Sequence, residues 1–314
     1  TERGGWSDVR HHSECKRWIH DSSIVLHLDD ESQAMFYHWM ASWSDILNFW
    51  RFKLGSSRHV HILVSGAKDT KFFEHFGLIS NFCWRRHDKL LPDGICFCNS
   101  SSFRPRQSRK NTEYAVEYVV NQLGLESVYP PSTSFRVGII SRRSKRFILN
   151  EYKLLEETMK LGIDCVLLPL ERMTLFERIR AIRSVHVLVG VIGSGGDNVV
   201  YMHPGTVYLQ LLPYKNKHRA LIPDRAREAG VKYMEWRLTD RTKAVFHWDL
   251  YTQANKEKLE RMGKEKILEE GQFGATVRET MMFWIQQDIV VPVSQWKPLI
   301  LECVNSSSVE GQMS

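Results

Sequence analysis

An apolar run that breaks into a cluster of glycines constrains the fold of this chain more than any other feature. Residues 187–214 read VLVGVIGSGGDNVVYMHPGTVYLQLLPY, so Gly193, Gly195 and Gly196 separate two apolar runs. The pattern predicts a strand, a glycine turn, a short helix and a second strand. Glycines let the backbone approach a ligand closely, and the free N–H groups at a helix start favour an anion. For an isolated glycine cluster, an anion site and a plain strand-to-helix turn are equally good interpretations.

Strands and helices alternate along the rest of the chain. In the first half we predict strands over 22–30, 58–66 and 94–98, and helices over 32–52, 71–76 and 113–123. After the proline-containing linker YPPSTS at 129–134, we predict strands over 135–141, 164–170, 186–191, 206–212 and 232–237, and helices over 150–161, 174–184, 196–202, 219–229, 255–269 and 274–287. Apolar strands separated by helices imply parallel sheets covered on both faces. The predicted class is therefore α/β, with two domains facing each other across a cleft.

The length and net charge of the chain indicate how many domains it forms and which kinds of partner it binds. A chain of 314 residues with 43% hydrophobic residues can bury two cores. We place an N-terminal domain at 1–133, a C-terminal domain at 134–288 and a tail at 289–314. The net charge of +7 is mild for this length, so it suits an anionic substrate without requiring nucleic acid, and we predict no nucleic-acid partner. Without a long apolar run, neither a membrane span nor a signal peptide is predicted within these residues.

A basic loop is predicted to meet the glycine cluster. The strand over 135–141 is followed by Arg142, Arg143, Lys145 and Arg146. Ligands of parallel sheets bind beyond the carboxyl ends of the strands, where this loop and the glycine loop converge. Arginine holds phosphate oxygens in a bidentate fork. A solvated basic turn would be the ordinary interpretation, but the convergence favours a diphosphate clamp.

Other motifs are tested at the same loop and do not fit. Asp197 and Asn198 follow the last glycine, where a P-loop requires lysine and serine or threonine. A nucleophile elbow centred on Ser194 would require glycine in place of Ile192. A serine hydrolase that uses Ser194 with His203 or His218 is the less favoured alternative. The strand ends offer no Asp-x-Asp pair, so no metal site is predicted.

The first half offers a candidate general base. His38, Ser42 and Asp45 fall along one face of the predicted helix over 32–52. A histidine and an aspartate on one face could orient and deprotonate a substrate hydroxyl. The ordinary interpretation of His38 alone is a histidine packed in the core.

Two segments resemble the second domain of glycosyltransferase family 61, whose members act on protein-linked glycans and on plant xylan. The segments are RVGIISRRSKRFILNEYKLL at 136–155 and SVHVLVGVIGSGGDNVVYMHPGTVYLQLLPY at 184–214. The positions that match the family pattern are Ser141-Arg142, Arg146, Asn150-Glu151, Gly193-Ser194-Gly195, Asn198, Pro204-Gly205 and Pro213-Tyr214. The resemblance extends over about 135–236, and before that only Tyr37-His38 matches. Two positions depart from the pattern: Ile192 stands in place of a loop histidine, and Ser42 in place of an acid for which Asp45 could substitute one turn later.

The resemblance implies a GT-B-like fold of two Rossmann-like domains, with parallel sheets facing a central cleft. It implies inverting, metal-independent transfer of a sugar from a UDP-sugar to a protein- or polysaccharide-linked glycan. It also implies the Golgi or endoplasmic reticulum lumen, with membrane attachment only through a segment absent from this chain. No cofactor is expected, since the UDP-sugar is a co-substrate. The expected donor-binding residues are Arg142, Arg146, Asn150, Gly193, Ser194, Gly195, Gly196, Asp197 and Asn198, and the expected catalytic residues are Asp45 and His38. The alternative is a non-catalytic nucleotide- or glycan-binding relative, because Ile192 and Ser42 depart from the pattern.

Overall fold

The computed structural model describes residues 17–27, 60–65, 82–86, 95–103, 112–216, 222–271 and 278–307. The chain divides into two compact units, Thr1–Glu126 and Ser127–Ser314. Each unit contains its own parallel sheet. The predicted α/β class is confirmed.

The first unit carries a parallel sheet with the strand order β3-β2-β1-β4 in its described part. Its elements are β1 (Arg17–His27), β2 (Val60–Ser65), β3 (Phe82–Arg86), β4 (Ile95–Phe103) and α1 (Thr112–Gln122). The predicted strands near 22–30, 58–66 and 94–98 and the helix near 113–123 are confirmed with shifted ends. Strand β3 was not predicted, because FCWRR is short and ends in two arginines. The predicted helices over 32–52 and 71–76 lie outside the described residues.

The second unit is built on a five-stranded parallel sheet with the order β6-β5-β7-β8-β9. Its strands are β5 (Arg136–Ile140), β6 (Asp164–Leu168), β7 (Val187–Val191), β8 (Val207–Leu212) and β9 (Lys232–Arg237). Every residue of β7 and β8 is buried, as their continuous apolar runs predict. The chain leaves β5 for β6 on one side and then returns to β7 on the other. The point where the order reverses, between β5 and β7, is where parallel sheets bind ligands.

Helices connect these strands near the predicted positions. They are α2 (Glu151–Met159), α3 (Leu175–Arg183), a 3₁₀-helix (Ser194–Tyr201) and α4 (Ile222–Glu228). Helix α3 begins with a capping box, in which the hydroxyl of Thr174 accepts from the Glu177 N–H and the Glu177 carboxylate accepts from the Thr174 N–H. The 3₁₀-helix occupies the position of the helix predicted over 196–202.

The C-terminal part of the unit packs back onto the sheet. It contains β10 (Ala244–Val245), α5 (Trp248–Glu270, with non-helical residues at Asn255 and Gly263), α6 (Arg278–Ile285), β11 (Asp288–Ile289) and α7 (Val293–Ser306). Residues 293–306, which the sequence assigns to a tail, form α7. This helix buries Trp296, Ile300 and Cys303 in the core of the sheet. The indole N–H of Trp296 lies 2.9 Å from the Thr158 hydroxyl and 3.1 Å from the Leu154 carbonyl, which fixes α7 to α2.

Candidate functional site

The site lies beyond the carboxyl ends of β5 and β7. The loop 141–146 leaves β5, while Ile192 and Gly193 lead from β7 into the 3₁₀-helix. The structure brings these two loops together: the Nη1 atom of Arg146 donates to the Ile192 carbonyl at 2.9 Å. Gly193, Ser194 and Gly195 are partly exposed, so their backbone can be reached from solvent.

Arg146 is held in an uncommon backbone conformation. Its φ of 62° lies in the left-handed region, which costs a residue with a side chain free energy. The residues after it are fixed by β11: the Phe147 N–H donates to the Asp288 carboxylate at 2.8 Å, and the Ile289 N–H donates to the Phe147 carbonyl at 2.9 Å. A strained conformation persists when its surroundings determine it in this way. The result is a guanidinium packed against the glycine turn.

Two of the glycines are required by close contacts. A Cβ atom on Gly193, whose φ is 141°, would lie 1.8 Å from the Nη1 atom of Arg146. A Cβ atom on Gly196 would lie 2.3 Å from the Tyr208 hydroxyl. Gly195 has more room, because the nearest atom to a Cβ placed there would be the Arg142 Nη1 at 3.3 Å. The glycine turn therefore accommodates Arg146 from one side and Tyr208 from the other.

Arg146 is a buried cation that forms no ion pair within the described part of the chain. Its side chain is buried, and no carboxylate among the described residues lies within ion-pair distance of it. Its Nε atom is also buried without a hydrogen-bond partner among those residues. Burial, together with the neighbouring charge of Arg142, lowers the pKa of Arg146 to about 10, and Glu171 opposes this effect. Arg146 therefore remains charged at neutral pH, and a bound anion would compensate its desolvation.

Arg142 lies beside Arg146 and forms an ion pair with Glu171. Its Nε atom is 2.9 Å from a carboxylate oxygen of Glu171, and its side chain is only 11% exposed. Lys145 adds a further charge, and its pKa is lowered by burial and then by Arg146 and Arg142. The loop thus concentrates positive charge next to the glycine turn.

Three of the predicted donor-binding residues make structural contacts. The side chain of Asn150 donates to the Val291 carbonyl at 2.8 Å and accepts from the Val291 N–H at 3.1 Å, so it ties α2 to the C-terminal segment. Asn198 donates to the Gly195 carbonyl at 2.9 Å and closes the turn. Asp197 is buried 3.8 Å from Arg225, and burial raises its pKa to about 7. Their roles in donor binding remain predictions, and the present contacts give each a structural task.

The side chain of Ile192 faces the core of the second unit. The family pattern has a histidine at this position. In the structure the Ile192 side chain is 1% exposed and belongs to the core cluster, and its carbonyl is the group that faces the loop. A histidine here would therefore be buried in the core.

The remaining candidates do not join this site. His38, Ser42 and Asp45, together with His218, lie outside the described residues. His203 precedes β8 and so lies at the amino ends of the strands, whereas Ser194 follows β7 and lies at their carboxyl ends. The Nε2 atom of His203 is 2.6 Å from the Val128 carbonyl oxygen. The described residues therefore do not assemble Ser194 and His203 into a hydrolase site. Nor do they contain a group of three histidine, cysteine, aspartate or glutamate side chains arranged to hold a metal.

Sequence reasoning missed Glu171, which pairs with Arg142. The signal that could have found it is its place after β6, since β6 and β5 are neighbours and their carboxyl ends lie at one edge. It also missed Asp288, whose link to Phe147 spans 141 residues and leaves no local pattern.

Comparison with known proteins adds two similarities. Residues 36–209, more than half of the chain, match the family model described as Glycosyltransferase 61. The xylan glycosyltransferase MUCI21 of Arabidopsis thaliana is 25% identical over 114 residues, which make up 35% of this chain and 23% of that protein. The chain thus spans less than a quarter of the length of this relative. Across the described residues, no helix is long and apolar enough to cross a membrane.

Proposed function

The chain belongs to glycosyltransferase family 61, and from that premise we propose that it transfers a sugar from a UDP-sugar to a protein- or polysaccharide-linked glycan with inversion. The observation that carries the proposal is Arg146, a buried cation held by a strained backbone against an accessible glycine turn. The xylan glycosyltransferase it resembles supports transfer to a glycan. The proposal includes the GT-B arrangement of two Rossmann-like domains and the Golgi or endoplasmic reticulum lumen.

The diphosphate of the donor is the anion that the site would bind. Arg146 and Arg142 would contact its oxygens, and backbone N–H groups of the partly exposed residues 193–195 would complete the contacts. Sugar transfer breaks the bond between the anomeric carbon and the diphosphate, so negative charge grows on the leaving UDP. Fixed cations next to that charge stabilise the transition state more than the bound substrate.

The acceptor is assigned to the first unit. Asp45 would remove the proton of the acceptor hydroxyl as that oxygen attacks the anomeric carbon, and His38 would orient the acceptor. Attack opposite the leaving group in a single step inverts the configuration. Because the proposed leaving-group stabilisation comes from arginine side chains, transfer should persist in EDTA. Activity lost on chelation and restored by manganese would contradict this part.

Calorimetry with nucleotides tests the proposal on the wild-type chain. UDP should bind more tightly than UMP, because the diphosphate supplies the charge that Arg146 and Arg142 contact. Affinity should fall as salt is raised. Arg146→Ala and Arg142→Ala should both weaken the binding of UDP. Arg227→Ala is the matched control for these variants, since it removes an arginine whose side chain is 77% exposed. Equal affinity for UDP, UMP and uridine would refute the diphosphate site.

A turnover assay separates the two candidate functions. UDP release from a panel of UDP-sugars, with and without glycan acceptors, should reveal transfer or slow hydrolysis. Nucleotide binding without release of UDP from any donor would instead assign the chain as a non-catalytic binding relative.

A further inference from the structure

We propose that Glu171 is a positioning residue that orients Arg142 and thereby sets the preference of the site for a diphosphate over a monophosphate. This inference rests on the proposed function, because the ligand is the diphosphate of the donor. The carboxyl ends of β6, β5 and β7 lie side by side along one edge of the sheet. From one side to the other, this edge carries Glu171, the basic loop and the glycine turn.

Glu171 contacts three successive residues of the basic loop. One carboxylate oxygen lies 2.9 Å from the Nε atom of Arg142 and 3.5 Å from the Ser144 hydroxyl. The other oxygen accepts from the Arg143 N–H at 3.2 Å. The carboxylate therefore accepts a hydrogen bond from the backbone of the loop and forms an ion pair with the Nε side of one guanidinium, whose Nε–H makes no hydrogen bond within the described residues.

This arrangement directs the outer end of Arg142 at the glycine turn. The Nη1 atom lies 3.3 Å from the position that a Cβ atom would take on Gly195. Glu171 contacts the Nε side, so the Nη atoms remain for a ligand. A guanidinium held on one edge loses less conformational freedom when it binds phosphate on the other.

A simpler interpretation makes the opposite prediction. If Glu171 were only a counter-ion that competes with anions, its removal would strengthen the positive field and tighten the binding of every anion. If it orients Arg142, its removal weakens the binding of ligands that reach this arginine. Arg146 contacts the glycine turn at Ile192 and Gly193, whereas Arg142 lies farther along it at Gly195. A second phosphate group is the part of the ligand that would extend from Arg146 to Arg142.

The test uses the full chain with Glu171→Gln, which keeps the shape and removes the charge. UDP and UMP affinities are measured by calorimetry. We expect the affinity for UDP to fall about tenfold, as for the loss of one charge-assisted hydrogen bond, and the affinity for UMP to change by less than about threefold. Glu156→Gln on α2 is the control, because it makes the same substitution in a side chain that is 59% exposed.

A double-mutant cycle distinguishes orientation of Arg142 from general support of the loop. In an Arg142→Ala background, Glu171→Gln should cause no further loss of UDP affinity. Tighter binding of both nucleotides by Glu171→Gln would overturn the inference in favour of a competing counter-ion. An equal loss with and without Arg142 would overturn it in favour of a structural role. Failure of the wild type to bind UDP would overturn the proposed function itself.

Discussion

Replacement of Arg146 by alanine and by glycine separates the contribution of its side chain from that of its backbone. Both variants remove the buried guanidinium that donates to the Ile192 carbonyl. Only glycine adopts the φ of 62° without the steric cost that a Cβ atom brings. The two variants therefore share one defect in ligand binding and differ in backbone strain.

The expected magnitudes follow from these two features. Hydrogen bonds to charged groups contribute about 1.5–3 kcal/mol, so both variants should bind UDP at least about tenfold more weakly. The left-handed conformation costs a residue with a Cβ atom roughly 1–2 kcal/mol. The greater conformational entropy of the unfolded glycine variant offsets about 0.4–1 kcal/mol of this stability difference. The glycine variant should therefore be roughly 1 kcal/mol more stable than the alanine variant.

The assay combines calorimetry with UDP and denaturant unfolding of both variants. Equal losses of affinity, with higher stability for glycine, would support the assignment of strain to the backbone and of binding to the guanidinium. Unchanged UDP affinity in both variants would refute the role of Arg146 in the site. A glycine variant less stable than the alanine variant would refute the account of the strain.

The remaining predictions concern the glycine turn and the groups beneath it. Gly193→Ala should weaken UDP binding as much as Arg146→Ala, since its Cβ would displace that guanidinium, whereas Gly195→Ala, whose Cβ would lie 3.3 Å from the Arg142 Nη1, should weaken it less; calorimetry compares the pair. Ile192→His should lower the free energy of unfolding by roughly 1–3 kcal/mol without tightening UDP binding, because its imidazole would be buried without an established partner. Tighter binding would show that this side chain reaches the ligand. Burial raises the pKa of Asp197 from 3.8 to about 7, so the stability contributed by the neutral carboxyl is complete below about pH 4 and is lost as the pH rises to about 7. Measured against Asp197→Asn, the wild type should lose at most about 1.4 kcal/mol per pH unit in this range, and a difference that does not vary with pH would contradict the burial of the charge.

The strands of the second unit could be predicted because their patterns are local. Strands β7 and β8 are continuous apolar runs bounded by glycine, histidine and proline, and β9 begins and ends at the predicted residues. The convergence of the basic loop and the glycine turn was also predictable, since it follows from the parallel order of β5 and β7.

Features that depend on distant parts of the chain could not be predicted in this way. Helix α7 was assigned to a tail, although Trp296, Ile300 and Cys303 have helical spacing, because the pattern is short and contains Pro298. The left-handed backbone of Arg146 follows from its contacts and from no local sequence signal. The inward direction of the Ile192 side chain depends on the path of the turn and could not be derived from a motif.

The contacts of β11 with Phe147, next to Arg146, have a consequence for the order in which parts of the protein form. Phe147 and Asp288 are 141 positions apart, so during synthesis the basic loop emerges long before the residue that fixes it. The strands β5 to β9 and the glycine turn are complete in the nascent chain before β11 appears. Binding competence should therefore be acquired only after residue 288 has been synthesised, and a nascent chain that stops short of this residue would contain the sheet without the contact that fixes the basic loop.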